Sequence, residues 1–335
     1  MRLLVLGGTE FVGRAVVAAA LGRGWEVTVF HRGHHPPAPG VRSLHGDRTA
    51  PGGLAALADG TRWDAVVDTW SAAPSAVRET ARLLRDRAGR YVYVSSCSVY
   101  DWPRPAGFAE DTALVTGAAA AGHTEYARDK RGGELAAVES FGADGSVLVR
   151  AGLILGPYEN VGRLPWWLNR IARGGPVLAP GPHDLPVQFV DARDLAEWTL
   201  GAVERGLSGP YNLVAPFGHT TMGALLEACR RVTGSAAELR WTGPEVVLAA
   251  GIEPWVQLPV WVPPGSETYD AVHRMDVSRA VGTGLVCRPA EETVADTWEW
   301  LRETGGEVPV RADRPAVGLD PEVEARALGL PAGGP

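Results

Sequence analysis

Residues 2–30 read RLLVLGGTEFVGRAVVAAALGRGWEVTVF: an apolar run, a glycine turn, an alanine-rich helical stretch and a second apolar run. Strand, turn, helix and strand within thirty residues make a βαβ unit, and a crossover helix between two strands leaves them parallel. A parallel pair has to be covered on both faces, so this stretch alone points to an open α/β sheet with helices above and below it.

The alternation continues along the chain. Strand-like segments at 41–47, 63–68, 90–96 and 146–150 are interleaved with helical patterns over 75–87 and 124–140. This predicts a doubly wound, Rossmann-type domain over residues 1–150. After residue 150, glycine, proline and tryptophan cluster (ILGPYENVGRLPWW, EPWVQLPVWVPP) around helical stretches at 192–205, 221–233 and 290–303. That region reads as a smaller substrate lobe over 151–320, with some segments returning to the sheet. A tail with one short helix follows at 321–335.

The net charge is -7, which speaks against a general nucleic-acid or anionic-membrane surface. The expected partner is a small molecule, with no nucleic acid and no membrane, and the expected state is a monomer or a homodimer. No apolar run reaches spanning length. The three cysteines, Cys97, Cys229 and Cys287, are too scattered for a disulfide framework or a metal knuckle. A cytoplasmic location is therefore expected, and no metal.

The glycine turn carries the first chemistry. Gly7 supplies the tight turn after the strand, and Gly13 lets the helix pack closely. The backbone amides of Thr9, Glu10, Phe11 and Val12 are then expected to face a pyrophosphate at the helix N-terminus. An acid at the end of the second strand would bind a ribose 2′-hydroxyl, whereas an arginine accommodates a 2′-phosphate. Here the strand runs into His31 and Arg32, which favours NADP. Glu10, near the same ribose, would repel a 2′-phosphate unless it pairs with Arg32 or turns away, so NAD stays open.

Lys130 is the only lysine among 32 basic residues. It lies four residues after Tyr126, on the same face of a helix. A cation one turn from a phenol favours the ionised form, and a compact ammonium can also donate to ribose hydroxyls, which a rigid guanidinium fork does poorly. This is a reason for arginine drift to stop at one site. The third element is Ser95–Ser96, at the end of the apolar run YVYVSS, where hydroxyls would reach the carboxyl edge of the sheet beside the phenol.

Together GGTEFVGR, GDR at 46–48, VSSCSVY, YARDK, VRAGLILGP and VQFVDARDLAEW at 187–198 resemble the extended, epimerase/dehydratase-like branch of the short-chain dehydrogenase/reductase superfamily over nearly the whole chain. The resemblance implies that Ser96 polarises a carbonyl, that Tyr126 is the general acid/base, and that Lys130 assists it and binds ribose. It also implies Asp47 and Arg48 near the adenine, Thr69 and Trp70 near the cofactor, and Ser95, Ala151 and Leu153 along the cofactor cleft. Three features depart from the pattern. Glu10 replaces the middle glycine, Cys97 and Ser98 stand where 4,6-dehydratases carry an Asp-Glu pair, and DTWS replaces a small alanine-rich turn. Trp70 is expected either to contact a ligand or to pack between sheet and helix.

Substrate contacts are expected from Trp70, Cys97, Ser98, His123, Trp166 and Trp167, with Trp255 and Trp261 as further walls, and core packing is the alternative for Trp166, Trp167, Trp255 and Trp261. Arg163 and Arg170 are candidates for a substrate anion. His123 is a candidate proton relay if the helix of Tyr126 extends back that far. The leading expectation is NADPH-dependent ketone reduction on a bulky molecule of secondary metabolism. The alternatives are a nucleotide-sugar epimerase with tightly bound NAD, and a redox-idle RNA- or ligand-binding protein, since some relatives with a GGTxF opening bind RNA.

Overall fold

A computed structural model describes residues 1–311 and 315–330. Strands β1 (Arg2–Leu6), β2 (Glu26–His31), β3 (Arg42–His45), β4 (Ala65–Asp68), β5 (Tyr91–Ser96) and β6 (Ser146–Ala151) form one sheet with a seventh strand, Gly209–Leu213. The spatial order is seventh–β6–β5–β4–β1–β2–β3, and every pair is parallel. The chain runs outward from β1 through β2 to β3, then returns to the other side of β1 with β4. The carboxyl ends of β1 and β4 therefore flank a topological switch point, the place where open α/β sheets bind ligands.

β4, β5 and β6 are buried along their whole length because helices cover both faces. Helices α1 (Phe11–Gly22) and α5 (Ala192–Glu204) pack together on one face, and α2 (Pro74–Leu84) and α3 (Tyr126–Gly145) on the other. Within α3 two residues are poor helix formers, Gly132 and Gly133, at about 1 kcal/mol each relative to alanine. Packing explains Gly133, where a Cβ would lie 2.3 Å from the Tyr93 hydroxyl. At Gly142, φ +72° interrupts the helix, two residues beyond the end expected from sequence.

Residues after Ala151 divide between two places. The Gly209–Leu213 strand and α5 complete the Rossmann layer. Helices α4 (Arg163–Ala172), α6 (Met222–Thr233) and Ala290–Glu303 surround a separate core with the parallel pair Pro176–Pro180 and Glu238–Thr242. The short helix expected in the tail, Pro321–Ala327, is docked rather than loose. Buried Glu324 accepts from Arg170 at 2.6 Å and from the Leu178 amide at 3.0 Å. Residues 331–335 of that tail lie outside the described residues.

Two buried polar networks lie under the carboxyl edge. In the first, Asp68 at the end of β4 accepts a bidentate pair from Arg48 (2.7 and 2.8 Å), the Tyr91 hydroxyl and the Trp70 amide. Burial alone would raise the Asp68 carboxyl, but Arg48 and these donors hold it below its ordinary value. In the second, Glu134 on α3 accepts from Ser95 (2.8 Å) and from Arg150 on β6 (2.9 and 3.1 Å), and Arg150 reaches the Tyr100 hydroxyl.

Asp68→Ala is expected to leave the Arg48 guanidinium buried without its counter-ion and to lower stability in urea by about 3–5 kcal/mol. The double variant Asp68→Leu/Arg48→Met should recover most of that loss. A double variant no more stable than Asp68→Ala would show that the pair is not what holds this edge.

Candidate functional site

The site is built where β1 and β4 end. Gly7 has φ +110°, and a Cβ there would fall 2.3 Å from Thr69 Oγ1, which itself donates to the Leu6 carbonyl. Gly13 packs so closely that a Cβ would meet the Gly8 amide nitrogen at 2.9 Å. A cradle that any side chain would fill, at the start of a twelve-residue helix, fits the diphosphate of a dinucleotide. Thr9 does not present its amide to such an anion as expected, because that amide donates to the Gly7 carbonyl at 2.8 Å. Phe11 and Val12 open α1, whose first amides have no intrahelical acceptor.

Glu10 precedes α1, and its carboxylate neither pairs with Arg32 nor hangs free. It accepts from Asn160 Nδ2 at 3.0 Å and lies 3.3 Å from His35 Nε2. Asn160 belongs to the turn 156–162, which crosses from the second lobe. In the same turn, Tyr158 lies under the Arg14 guanidinium, 4.1 Å from ring centroid to Cζ. Buried Glu159 accepts the Arg163 and Leu164 amides at 2.8 and 3.1 Å, capping α4. Its burial pushes the carboxyl up to about 6, with Arg163 and those amides opposing the rise. Arg32 is exposed at the end of β2. His31 is buried, bonds Ser43 Oγ at 2.8 Å and faces His45, and burial with that neighbour lowers its pKa.

Arg48 departs from the expectation of an adenine contact. Its guanidinium is turned into the protein, onto Asp68, Thr80 Oγ1 (3.0 Å) and the Ala76 carbonyl (3.1 Å). Asp47 stays near the surface, accepting from Thr49.

The α3 face toward the sheet carries Tyr126, Lys130 and Glu134 at i, i+4 and i+8. Lys130, 3% exposed, donates at 2.6 Å to both the Trp70 carbonyl and the Val94 carbonyl. The Tyr93 hydroxyl shares the Trp70 carbonyl at 3.0 Å. The ammonium therefore spans the ends of β4 and β5. Tyr126, half-buried, opens the helix one turn nearer the sheet edge. Ser96 ends β5 in register with Ala151, and its Oγ accepts the Ser98 amide and donates to Ser98 Oγ at 3.2 Å. Ser95 turns to the other side, onto Glu134.

Several expected contacts fall elsewhere. Trp167 is fully buried, with its Nε1 on the Pro259 carbonyl, and Trp261 is likewise buried on the Gly181 carbonyl, so both are core. Trp166 stacks edge-on against Trp167, and Leu153 belongs to the second core. Arg170 is committed to Glu324, and Arg163 lies over the Trp255 ring. Trp70 packs with its Nε1 on the Ala73 carbonyl and its ring below Arg48. His123 is not on the helix, which begins at Tyr126. It lies in the preceding loop against Asp129, which also accepts from the Thr124 amide and hydroxyl. Glu134 and Arg150 escaped the sequence reading, although continuing the Tyr126–Lys130 spacing by one more step lands on Glu134. Among the described residues no group of three or more His, Cys, Asp or Glu could hold a metal, and no helix is long and apolar enough to cross a membrane.

The family model for the NAD dependent epimerase/dehydratase family matches residues 3–214. No curated protein matches in sequence. Among solved structures, the chain is similar to the Bordetella bronchiseptica enzyme WbmG in complex with NAD and UDP (TM-score 0.68, 19% identity, covering 94% of this chain and 99% of that one). It is also similar to UDP-glucuronic acid 4-epimerase from Bacillus cereus in complex with NAD (0.62, 14%, 91% and 99%), and to the epimerase Mth375 of Methanothermobacter thermautotrophicus (0.64, 17%, 91% and 93%). At these identities the likeness is one of fold.

Two outcomes follow from the geometry. Tyr126→Phe should reduce turnover by about 10²–10⁴-fold with cofactor binding intact, and Lys130→Arg should lose most activity because a planar fork cannot take up both carbonyls. A fully active Lys130→Arg protein, measured in single turnover, would refute that role. A raised Glu159 carboxyl means that the folded protein holds its proton between the ordinary value of 4.5 and about 6. Stability should therefore fall by about 2 kcal/mol as pH rises through that window. Glu159→Gln should flatten that part of the urea stability–pH curve, and an unchanged slope would contradict the assignment.

Proposed function

The chain belongs to the NAD dependent epimerase/dehydratase family, and from that membership we propose that it is an epimerase acting on a secondary alcohol of a nucleotide sugar, with NAD kept bound through the cycle. With its diphosphate at the glycine turn, a bound NAD would supply reversible hydride acceptance at the substrate carbon, so that the configuration there can invert. Tyr126 accepts the alcohol proton and gives it back, and Ser96 hydrogen-bonds the oxygen that alternates between hydroxyl and carbonyl. Lys130 fixes the helix turn that carries the phenol. Gly7, Gly13 and the first amides of α1 hold the diphosphate, with Thr69 and Trp70 beside it.

The observation that carries this reading over net reduction is the turn 156–162. Through Asn160 on Glu10 and Tyr158 on Arg14, the second lobe closes over the start of α1. An epimerase keeps its cofactor through many cycles, whereas a reductase has to release it every turnover. The similar Bordetella bronchiseptica enzyme in complex with NAD and UDP, and the Bacillus cereus UDP-glucuronic acid 4-epimerase in complex with NAD, agree with this choice.

A second reading has its own observation. Exposed Arg32 directly follows β2, and the nearby Glu10 carboxylate is occupied by Asn160 and His35, so a 2′-phosphate would meet a guanidinium and not a free acid. This favours NADP(H) and net ketone reduction.

Denaturing the protein as purified and assaying the released nucleotide separates the two. The epimerase reading expects close to one NAD per chain, and Asn160→Ala should lower that occupancy. Protein that comes empty, binds NADPH more tightly than NADH and consumes it with a ketone would establish the reductase instead.

A further inference from the structure

Among the described residues, the half-buried Arg104 has no acid within ion-pair distance. Arg48, Arg150, Arg170, Arg193 and Arg288 each meet a carboxylate. Arg104 instead donates to the Ala271 carbonyl at 3.4 Å and lies near enough to Cys97 for its charge to act on that thiol, and its buried Nε has no partner among the described residues. The rings of Trp102 and Phe108 lie 5.6 and 5.7 Å from its Cζ. Ring faces satisfy part of a cation's demand, but not the directional donors of the fork. A partly desolvated guanidinium without an anion is costly to keep. Its position is informative: Cys97 directly follows Ser96, so Arg104 stands at the reacting end of the cleft and away from the glycine turn. Beside it Trp102 is 49% exposed and offers an apolar wall.

We infer that Arg104 is the specificity-determining contact for an oxyanion, a carboxylate or a phosphate ester, carried on the part of the substrate that reaches Ser96. The planar fork takes two oxygens of such a group side by side, and a neutral hydroxymethyl in the same place would leave it unpaired. The inference rests on the epimerase reading for the identity of the reaction, but not for the presence of the anion contact.

The test compares UDP-glucuronate with UDP-glucose on the cofactor-loaded protein and on Arg104→Met and Arg104→Lys. Wild type should favour the acid. Arg104→Met should reduce kcat/KM for the acid about 10- to 100-fold, the range of a charge-assisted hydrogen bond, while leaving UDP-glucose within about 3-fold. Arg104→Lys, which keeps a charge without the fork, should fall between. Equal turnover of both sugars by wild type, or an equal loss on both in Arg104→Met, overturns the inference while the epimerase reading stands. If neither UDP sugar is turned over, the epimerase reading fails, and the anion contact is judged by calorimetric titration of glucuronate, glucose 6-phosphate and glucose. Binding of either anion above glucose that is lost in Arg104→Met upholds the inference and separates carboxylate from phosphate. No preference over glucose overturns it.

Discussion

The Lys130 ammonium is buried between two backbone carbonyls, those of Trp70 and Val94, each at 2.6 Å. A buried ammonium is tolerable only when its protons are taken up, so the ends of β4 and β5 have to lie at one separation for α3 to dock at all. That docking sets where Tyr126 stands, four residues earlier on the same face. A guanidinium in this place would carry a wider, planar set of donors that cannot converge on two carbonyls so close together. In a chain whose other basic residues are all arginine, this is a physical reason for the exception.

Two ion pairs hold the frame that Lys130 needs. Asp68, fixed by Arg48, donates nothing itself, yet it receives the Trp70 amide and so holds the residue whose carbonyl meets the ammonium. One turn beyond Lys130, Glu134 ties α3 to Arg150 on β6 and to Ser95, the residue before Ser96. Both pairs are nearly free of water, so their contribution is to specify the geometry of the edge more than to add net stability. Tyr126 opens α3 half-buried on the outer side of this frame, and Ser96 ends β5 buried beside it.

Much of this frame was legible in the residues. The βαβ opening, the strand runs and the helices at 192–205, 221–233 and 290–303 follow from apolar periodicity, because a parallel sheet buried on both faces leaves continuous apolar strands. The stripe of Tyr126 and Lys130 follows from helical spacing. What could not be read was long-range pairing. Nothing near Arg48 in sequence reveals that it turns inward to Asp68, twenty residues on, and Arg170 meets Glu324 across 154 residues. Whether the helix reaches back to His123 depends on capping geometry, here Asp129 gathering Thr124 and His123, which local propensity does not resolve. Composition does not distinguish a buried indole such as Trp167 from a cleft-lining one, so both readings stand until the fold is known.

On the proposed epimerase reading, the phenol on this frame serves a hydride that leaves and returns to the same carbon without the cofactor departing. The most direct measurement is the fate of a deuterium placed on the reacting carbon of a UDP sugar, followed by mass spectrometry through single turnover in the presence of excess unlabelled NADH. The account expects the epimerised product to keep its deuterium on that carbon and the NADH pool to stay unlabelled. Deuterium appearing in the free NADH pool, or a product carrying protium at that carbon, would contradict it.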